Sequence, residues 1–393
     1  MPSEPAPQAP PPNRVPILDG LRGVAVALVV LFHVWQISWL DYRALLHFPV
    51  DISFLPATGF FGVDLFFFLS AFCLTLPYAR AWVAGTPAPT LRHFATRRVA
   101  KIVPSYYLAI AILWWLPQTG IAPGREWFHL LTHLLFVHNW FFETSGSISG
   151  VLWSLAAEAQ FYVLFPFLIL VLRRFPLVTV SGMVLIAVVW RLVSLRIFFV
   201  TDPGESILAW RGEQLPARFD VFAAGMAAAY AHVRTVGKPW AARFALGFAF
   251  VAVAAFGLVL WQMQICYVNS VAGVPLDVMA MRGRLALSGT LFVLGYAGSL
   301  APHGFQKSVA NPVFAFLSVV SYNLYLWHQP VAAWLRTNNL PPASTSDPHH
   351  DPAWQFWFTG LAWAAAIAVA SLLTWGWETP FLRGGWARIR RKR

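Results

Sequence analysis

The chain has 393 residues, 58% of them hydrophobic and only 11% charged, with a mean hydropathy of +0.60 and a formal net charge of +12. About a quarter of the residues of a soluble domain are charged, so this composition excludes an ordinary soluble enzyme and indicates a polytopic protein of the lipid bilayer. Basic cytoplasmic loops explain the positive balance better than a nucleic-acid partner does, and the two cysteines, Cys73 and Cys266, have neither metal-ligand spacing nor a disulfide framework.

Residues 1–13 are rich in proline, nearly devoid of apolar side chains, and predict a disordered tail. The first apolar run, Val24 to Phe32, follows the polar turn Asp19-Gly20-Leu21-Arg22-Gly23 and meets a lone histidine, His33. Bulky Trp35 and Trp39 follow it, with no small-residue cleavage site, so it reads as an uncleaved first span. Windows of roughly 20 apolar residues predict ten spans, at 17–37, 59–83, 102–118, 151–172, 176–199, 218–233, 242–263, 284–300, 312–336 and 354–377. The sixteen residues 127–142, WFHLLTHLLFVHNWFF, are too few for a comfortable span. Counting them as one would put Arg173 and Arg174 outside, so the positive-inside rule favours a short re-entrant or outer helix there. Ten spans place both termini on one side, which the basic loops and the tail 383–393 assign to the cytoplasm. The expected fold is all-α and polytopic: about ten transmembrane helices around a polar cavity, one domain over 14–382 between two tails.

Several polar side chains interrupt the apolar runs, and lipid makes each expensive unless a cavity or partner justifies it. Arg22 and His33 are eleven residues apart, about 16 Å along a helix, so one helix holds a fixed cation near one face and a titratable base toward the other. Asp64, in Gly59-Phe-Phe-Gly62-Val-Asp64, either charges its helix N-terminus or orients a substrate or His33. The inner loop 92–101, RHFATRRVAK, carries Arg92, Arg97, Arg98 and Lys101. Anionic lipid alone would account for them, and a phosphate-bearing donor would suit them equally. Glu158 and Tyr162 are i,i+4 neighbours opening the fourth span. Arg218 and Asp220 are two residues apart and serve different partners. Tyr325 and His328 share a face of the ninth span, and Glu378 closes the tenth. His129, His133 and His138 lack an HExxH pattern or a nearby cysteine, so no metal site is expected.

These motifs, in this order, resemble the acyltransferase-3 family of integral membrane O-acyltransferases, over Val15 to Phe381. The family's arginine, ten residues and histidine after LDGLRG fall on Arg22 and His33. Its FGVDLFFVLSGF segment matches Phe61–Phe72, with Ala71 where glycine is usual. Its RRxxRIxPxYY loop matches Arg97–Tyr107, with Lys101 for arginine. Its WSLxxEEQFY segment matches Trp153–Tyr162, with Ala159 for the second acid, and SYxxYLWHxP matches Ser321–Pro330. The resemblance implies a multi-pass protein of a bacterial cytoplasmic (inner) membrane. Its donor would be a coenzyme A thioester, acetyl-CoA by expectation, acting as co-substrate with no tightly bound cofactor. The acceptor would be a hydroxyl, such as that of a surface glycan. An appended extracytoplasmic esterase-like domain, carried by some relatives, is not expected here. Arg22, Arg97, Arg98 and Lys101 would hold the donor's phosphates, and Tyr162, Arg218, Tyr325 and His328 complete the expected substrate- and donor-binding set.

In the mechanism so implied, His33 is the general base for the acceptor hydroxyl, Asp64 or Glu158 orients its ring, and a transient acyl-histidine is the alternative route. A different class of function uses the same groups: a proton-coupled exporter with His33, Asp64 and Glu158 as a relay. It predicts paired broken helices in two related halves, and no such repeat is visible in the sequence.

Overall fold

The computed structural model describes residues 15–42, 51–116, 121, 123–201, 204–343 and 347–382. The proline-rich tail 1–13 and the basic tail 383–393 lie outside the described residues. Among the described residues, ten helices of at least 21 residues follow one another: α1 (Pro16–Ser38), α2 (Phe61–Ala84), α3 (Leu91–Leu113), α4 (Leu152–Arg174), α5 (Pro176–Thr201), α6 (Leu215–Thr235), α7 (Ala245–Val271), α8 (Leu276–Leu300), α9 (Pro312–Thr337) and α10 (Pro352–Leu373). No strand occurs among the described residues. The protein is an all-α, multi-pass membrane protein. Among the described residues, seven helices are long and apolar enough to cross a bilayer, or eight if the short helix His303–Val309 and α9, bent by 61°, form one broken span. The expected count of about ten spans is therefore not established: ten helices are long enough, but seven or eight are also apolar enough.

α3 shows why. The sequence reading treats 92–101 as a loop, yet the helix starts at Leu91, with the Thr90 hydroxyl accepting from the His93 amide at 3.2 Å. A window that counts apolar residues misses three turns carrying four cations. Between α3 and α4 the segment 127–142 forms a nine-residue helix, Glu126–Leu134, then two single turns, too short to span.

α2 is the centre of the bundle: 83% of its apolar window is buried, against 22% for α5 and α7, whose outer faces are left for lipid. α6, α1 and α8 pack on it, α9 packs on α1, and α10 packs on α9. Glycine sets how closely α1 is held. A Cβ on Gly23 would come within 2.3 Å of the Phe314 carbonyl oxygen of α9, and one on Gly62 of α2 within 2.4 Å of the Ala25 carbonyl oxygen. The helix carrying Arg22 and His33 is thus clamped, backbone to backbone, between α2 and α9.

Candidate active site

Near the side on which α1 begins, the bundle encloses a chamber of about 400 Å³. Its mouth is lined by Arg22 of α1, by Arg97, Arg98 and Lys101 of α3, and by Leu382 beyond α10. Putting the basic segment on a helix, rather than a loop, is what aims three of these cations inward. Arg97 and Arg98 form no ion pair with an acid among the described residues. The Arg98 Nε is buried with no hydrogen-bond partner, and its guanidinium carbon lies 5.8 Å from the Tyr162 ring centre. Arg22 Nη2 lies 3.7 Å from Cys73 Sγ. A buried donor without a partner costs about 1–3 kcal/mol, so the mouth fits a multiply charged anion such as the phosphates of a nucleotide.

Lys101 is the exception, since Glu378 takes up its charge. Past α10 the chain makes a five-residue π-helical turn, Thr374–Glu378, and such turns recur at functional sites. It brings the Glu378 carboxylate to Lys101 and to Asn323 Nδ2 of α9, at 2.9 Å. Midway along the chamber, Ser70 donates to Glu158 Oε1 at 2.5 Å and lies 2.8 Å from the Tyr162 hydroxyl, which also donates to Glu158. The far end is walled by Val63, Phe66, Phe67, Leu155 and Tyr325. There the Tyr325 hydroxyl is held by Ser154 Oγ at 2.5 Å and by the Val151 carbonyl at 3.2 Å.

His33 is the ring partner of His328, which sits one turn along α9 from Tyr325 of that wall. It is partly buried and does not line the chamber. Its Nδ1 lies 2.9 Å from the Val29 carbonyl oxygen and 3.0 Å from Nε2 of His328, whose own Nδ1 faces the Leu324 carbonyl at 3.0 Å. Carbonyl oxygens only accept. Both Nδ1 atoms therefore carry the proton, His328 Nε2 accepts from His33, and His33 Nε2 keeps a lone pair. No hydrogen bond engages that nitrogen among the described residues.

The predicted site residues divide accordingly. Arg22, Arg97, Arg98, Lys101, Glu158, Tyr162 and Tyr325 line the chamber, and His328 joins His33. Asp64 and Arg218 belong elsewhere. Asp64 Oδ1 accepts from Arg218 at 2.7 Å and from Arg284 at 3.0 Å, with all three side chains buried. Neither Asp64 nor Glu158 is hydrogen-bonded to His33, whose ring partner is His328. Arg218 also donates to the Gly212 carbonyl and stacks over Trp153. Ser70, Ser154, Tyr322 and Asn323 each lie within one of the recognised motifs but carry no signal in the sequence that marks them as site residues. Only the helix crossings show that they meet other motifs there.

On the side of the bundle where α1 ends, His129 bonds Ser147 Oγ at 2.8 Å and the His133 and His138 rings stack at 3.9 Å. No group of three His, Cys, Asp or Glu residues is placed to hold a metal among the described residues. Beside them Glu213, in a short helix between α5 and α6, accepts from Ser145 Oγ at 2.6 Å. Burial pushes its carboxyl up to about 7, against the lowering effect of that hydroxyl and of Arg218.

Residues 15–376 match the family model described as an acyltransferase domain, that of acyltransferase-3. The chain is 26% identical over 405 aligned residues to peptidoglycan O-acetyltransferase OatA of Listeria monocytogenes, covering 94% of this chain and 56% of that protein. It is 24% identical over 345 residues to O-acetyltransferase OatA of Staphylococcus aureus, covering 83% and 52%. It is also 22% identical over 390 residues to regulator of hypoxia-inducible factor 1 of Caenorhabditis elegans, covering 86% and 74%. The chain thus spans about half the length of the two OatA proteins. No solved structure matches it.

Proposed function

The chain belongs to the acyltransferase-3 family, and from that premise we propose that it carries an acyl group, acetyl by preference, from acyl-CoA on the cytoplasmic side to a hydroxyl of a glycan or other polyol reached from the opposite side. One observation carries the reading: a chamber with unpaired arginines at its mouth is walled by Tyr325, one helical turn from His328, the ring partner of a His33 whose Nε2 has a free lone pair. Arginine forks bind phosphate bidentately, so Arg22, Arg97 and Arg98 hold the nucleotide end while the thinner pantetheine arm runs inward. The printed names of the OatA relatives, one of them a peptidoglycan O-acetyltransferase, favour a glycan as acceptor.

The acceptor oxygen attacks the thioester carbonyl as His33 Nε2 takes its proton. The C–O bond forms, the C–S bond breaks, and the CoA sulfur leaves with the proton that His33 returns. During the step His33 is an imidazolium. Its Nδ1–H points at His328 Nε2, so the second ring stabilises the charge and fixes the tautomer, as the third member of a catalytic triad does. General-base catalysis of this kind contributes typically 10²–10⁴-fold. The exporter reading needs His33, Asp64 and Glu158 in proton contact. Their partners are instead His328, the pair Arg218 and Arg284, and the pair Ser70 and Tyr162.

The test is to supply radiolabelled acetyl-CoA to membranes containing the protein, with isolated envelope glycan as acceptor. Release of CoA together with label made covalent on the glycan is expected. Solute flux driven by a proton gradient, with no thioester consumed, would establish the exporter instead.

A further inference from the structure

The chamber changes character along its length. Its mouth is cationic, its middle is the Ser70, Glu158 and Tyr162 cluster, and its far end is apolar and aromatic. If the phosphates bind at the mouth, the thioester reaches that far end, and the acyl group meets Phe66 and Tyr325. These two rings meet edge to face, with centres 5.9 Å apart and planes at 84°. The Tyr325 ring centre is also 5.9 Å from that of His328, which is 4.9 Å from that of His33. Tyr325 of the chamber wall is therefore a direct neighbour of the histidine pair.

The two rings are held differently. Tyr325 is a fixed wall, because Ser154 and the Val151 carbonyl anchor its hydroxyl to the start of α4. Phe66 is partly exposed and packs between the two apolar cores of the bundle, with no polar anchor. Its side chain limits the room left beside Tyr325.

We propose that the far end of the chamber is an acyl-binding subsite for a short, unbranched acyl group, in which Phe66 and Tyr325 form the end wall that sets chain length. This rests on the reading of acyl-CoA as donor. It adds what that reading leaves open: which side chains measure the acyl group. Acetyl fits between thioester and wall. Each added methylene must displace the Phe66 ring, and in an apolar pocket one methylene is worth about 10- to 200-fold in selectivity.

The experiment compares acetyl-, butyryl- and hexanoyl-CoA as donors, scoring CoA release and acyl transfer by membranes containing wild-type protein, Phe66→Ala, Phe66→Leu or Tyr325→Phe. Wild type is expected to prefer acetyl-CoA. Phe66→Ala should raise the butyryl-to-acetyl ratio of kcat/KM by about 10-fold or more, with Phe66→Leu intermediate and informative if the alanine variant is not inserted. Tyr325→Phe keeps the ring and should leave that ratio near the wild-type value, whatever it does to the rate. A ratio unmoved in both Phe66 variants, with acetyl transfer retained, would overturn the subsite and leave the donor assignment standing. No CoA released from any thioester by wild type would overturn the donor assignment and the subsite with it.

Discussion

Two groups of charged side chains lie within this bundle, and they are satisfied in opposite ways. Around Asp64, two arginines converge on one carboxylate oxygen, and nearby Arg191 donates to Asp220 at 2.8 Å. Each of these charges meets an opposite one, although Asp64 Oδ2 and Asp220 Oδ1 have no partner. Around the chamber, Arg97 and Arg98 face a cavity and form no ion pair with an acid among the described residues. An ionisable residue in a membrane span invites a functional reading by default. The contrast shows that the sharper criterion is whether the charge is already answered by the protein. By that criterion the Asp64 cluster is internally paired, and the chamber is the better candidate for a ligand site.

The strongest way to break this comparison is Asp64→Ala, which strands two buried arginines. Breaking a buried pair by removing one partner costs about 3–5 kcal/mol. We expect a large fall in the thermal midpoint of the detergent-solubilised protein, or no folded protein. A variant as stable as wild type but without transfer would return Asp64 to the catalytic site. Next in size is His328→Gln, which leaves the base but removes the ring that orients it. Single-turnover measurements should show a loss on the order of 10² in rate, with binding of acyl-CoA little changed. A loss expressed only in acyl-CoA affinity would instead make His328 a donor-binding residue.

The double variant Arg97→Ala with Arg98→Ala should raise the KM for acyl-CoA at unchanged thermal stability. A charge-assisted hydrogen bond is worth about 1.5–3 kcal/mol, so roughly 10- to 100-fold is expected. An unchanged KM would leave lipid anchoring as sufficient reason for these residues. The smallest expected effect lies outside the spans. Glu213 titrates near 7 when folded and near 4.5 as a free side chain. A carboxyl raised on folding stabilises most fully below its unfolded value, and the contribution fades as pH rises through the folded one. The thermal midpoint should therefore fall between about pH 4.5 and 7, and Glu213→Gln should flatten that part of the profile.

What could be read from the sequence depended on how local the cause was. The apolar runs place most helices within a few residues, because burial and lipid exposure act on each segment separately. α3 was mis-bounded because its first turns are helical for reasons other than apolarity: a Thr90 cap, and a cavity that accepts its cations. The Arg22-to-His33 spacing was legible, being a property of one helix. The partner of His33 was not. Tyr325 and His328 lay visibly on one face of the ninth span, but which ring or carboxylate meets His33 depends on how α1 crosses α9. That crossing is set by the close approach at Gly23, and it selects His328 over Asp64. Asp64 looked catalytic in sequence because its counter-charges, Arg218 and Arg284, lie 154 and 220 residues away.

The claim on which the rest turns is that His33 Nε2 removes the acceptor's proton. It is tested most directly by His33→Ala, with membrane insertion and thermal midpoint measured alongside transfer of label from acetyl-CoA to a glycan acceptor. We expect a folded, inserted protein whose transfer falls by about 10²-fold or more. Transfer at the wild-type rate in that variant would contradict the account.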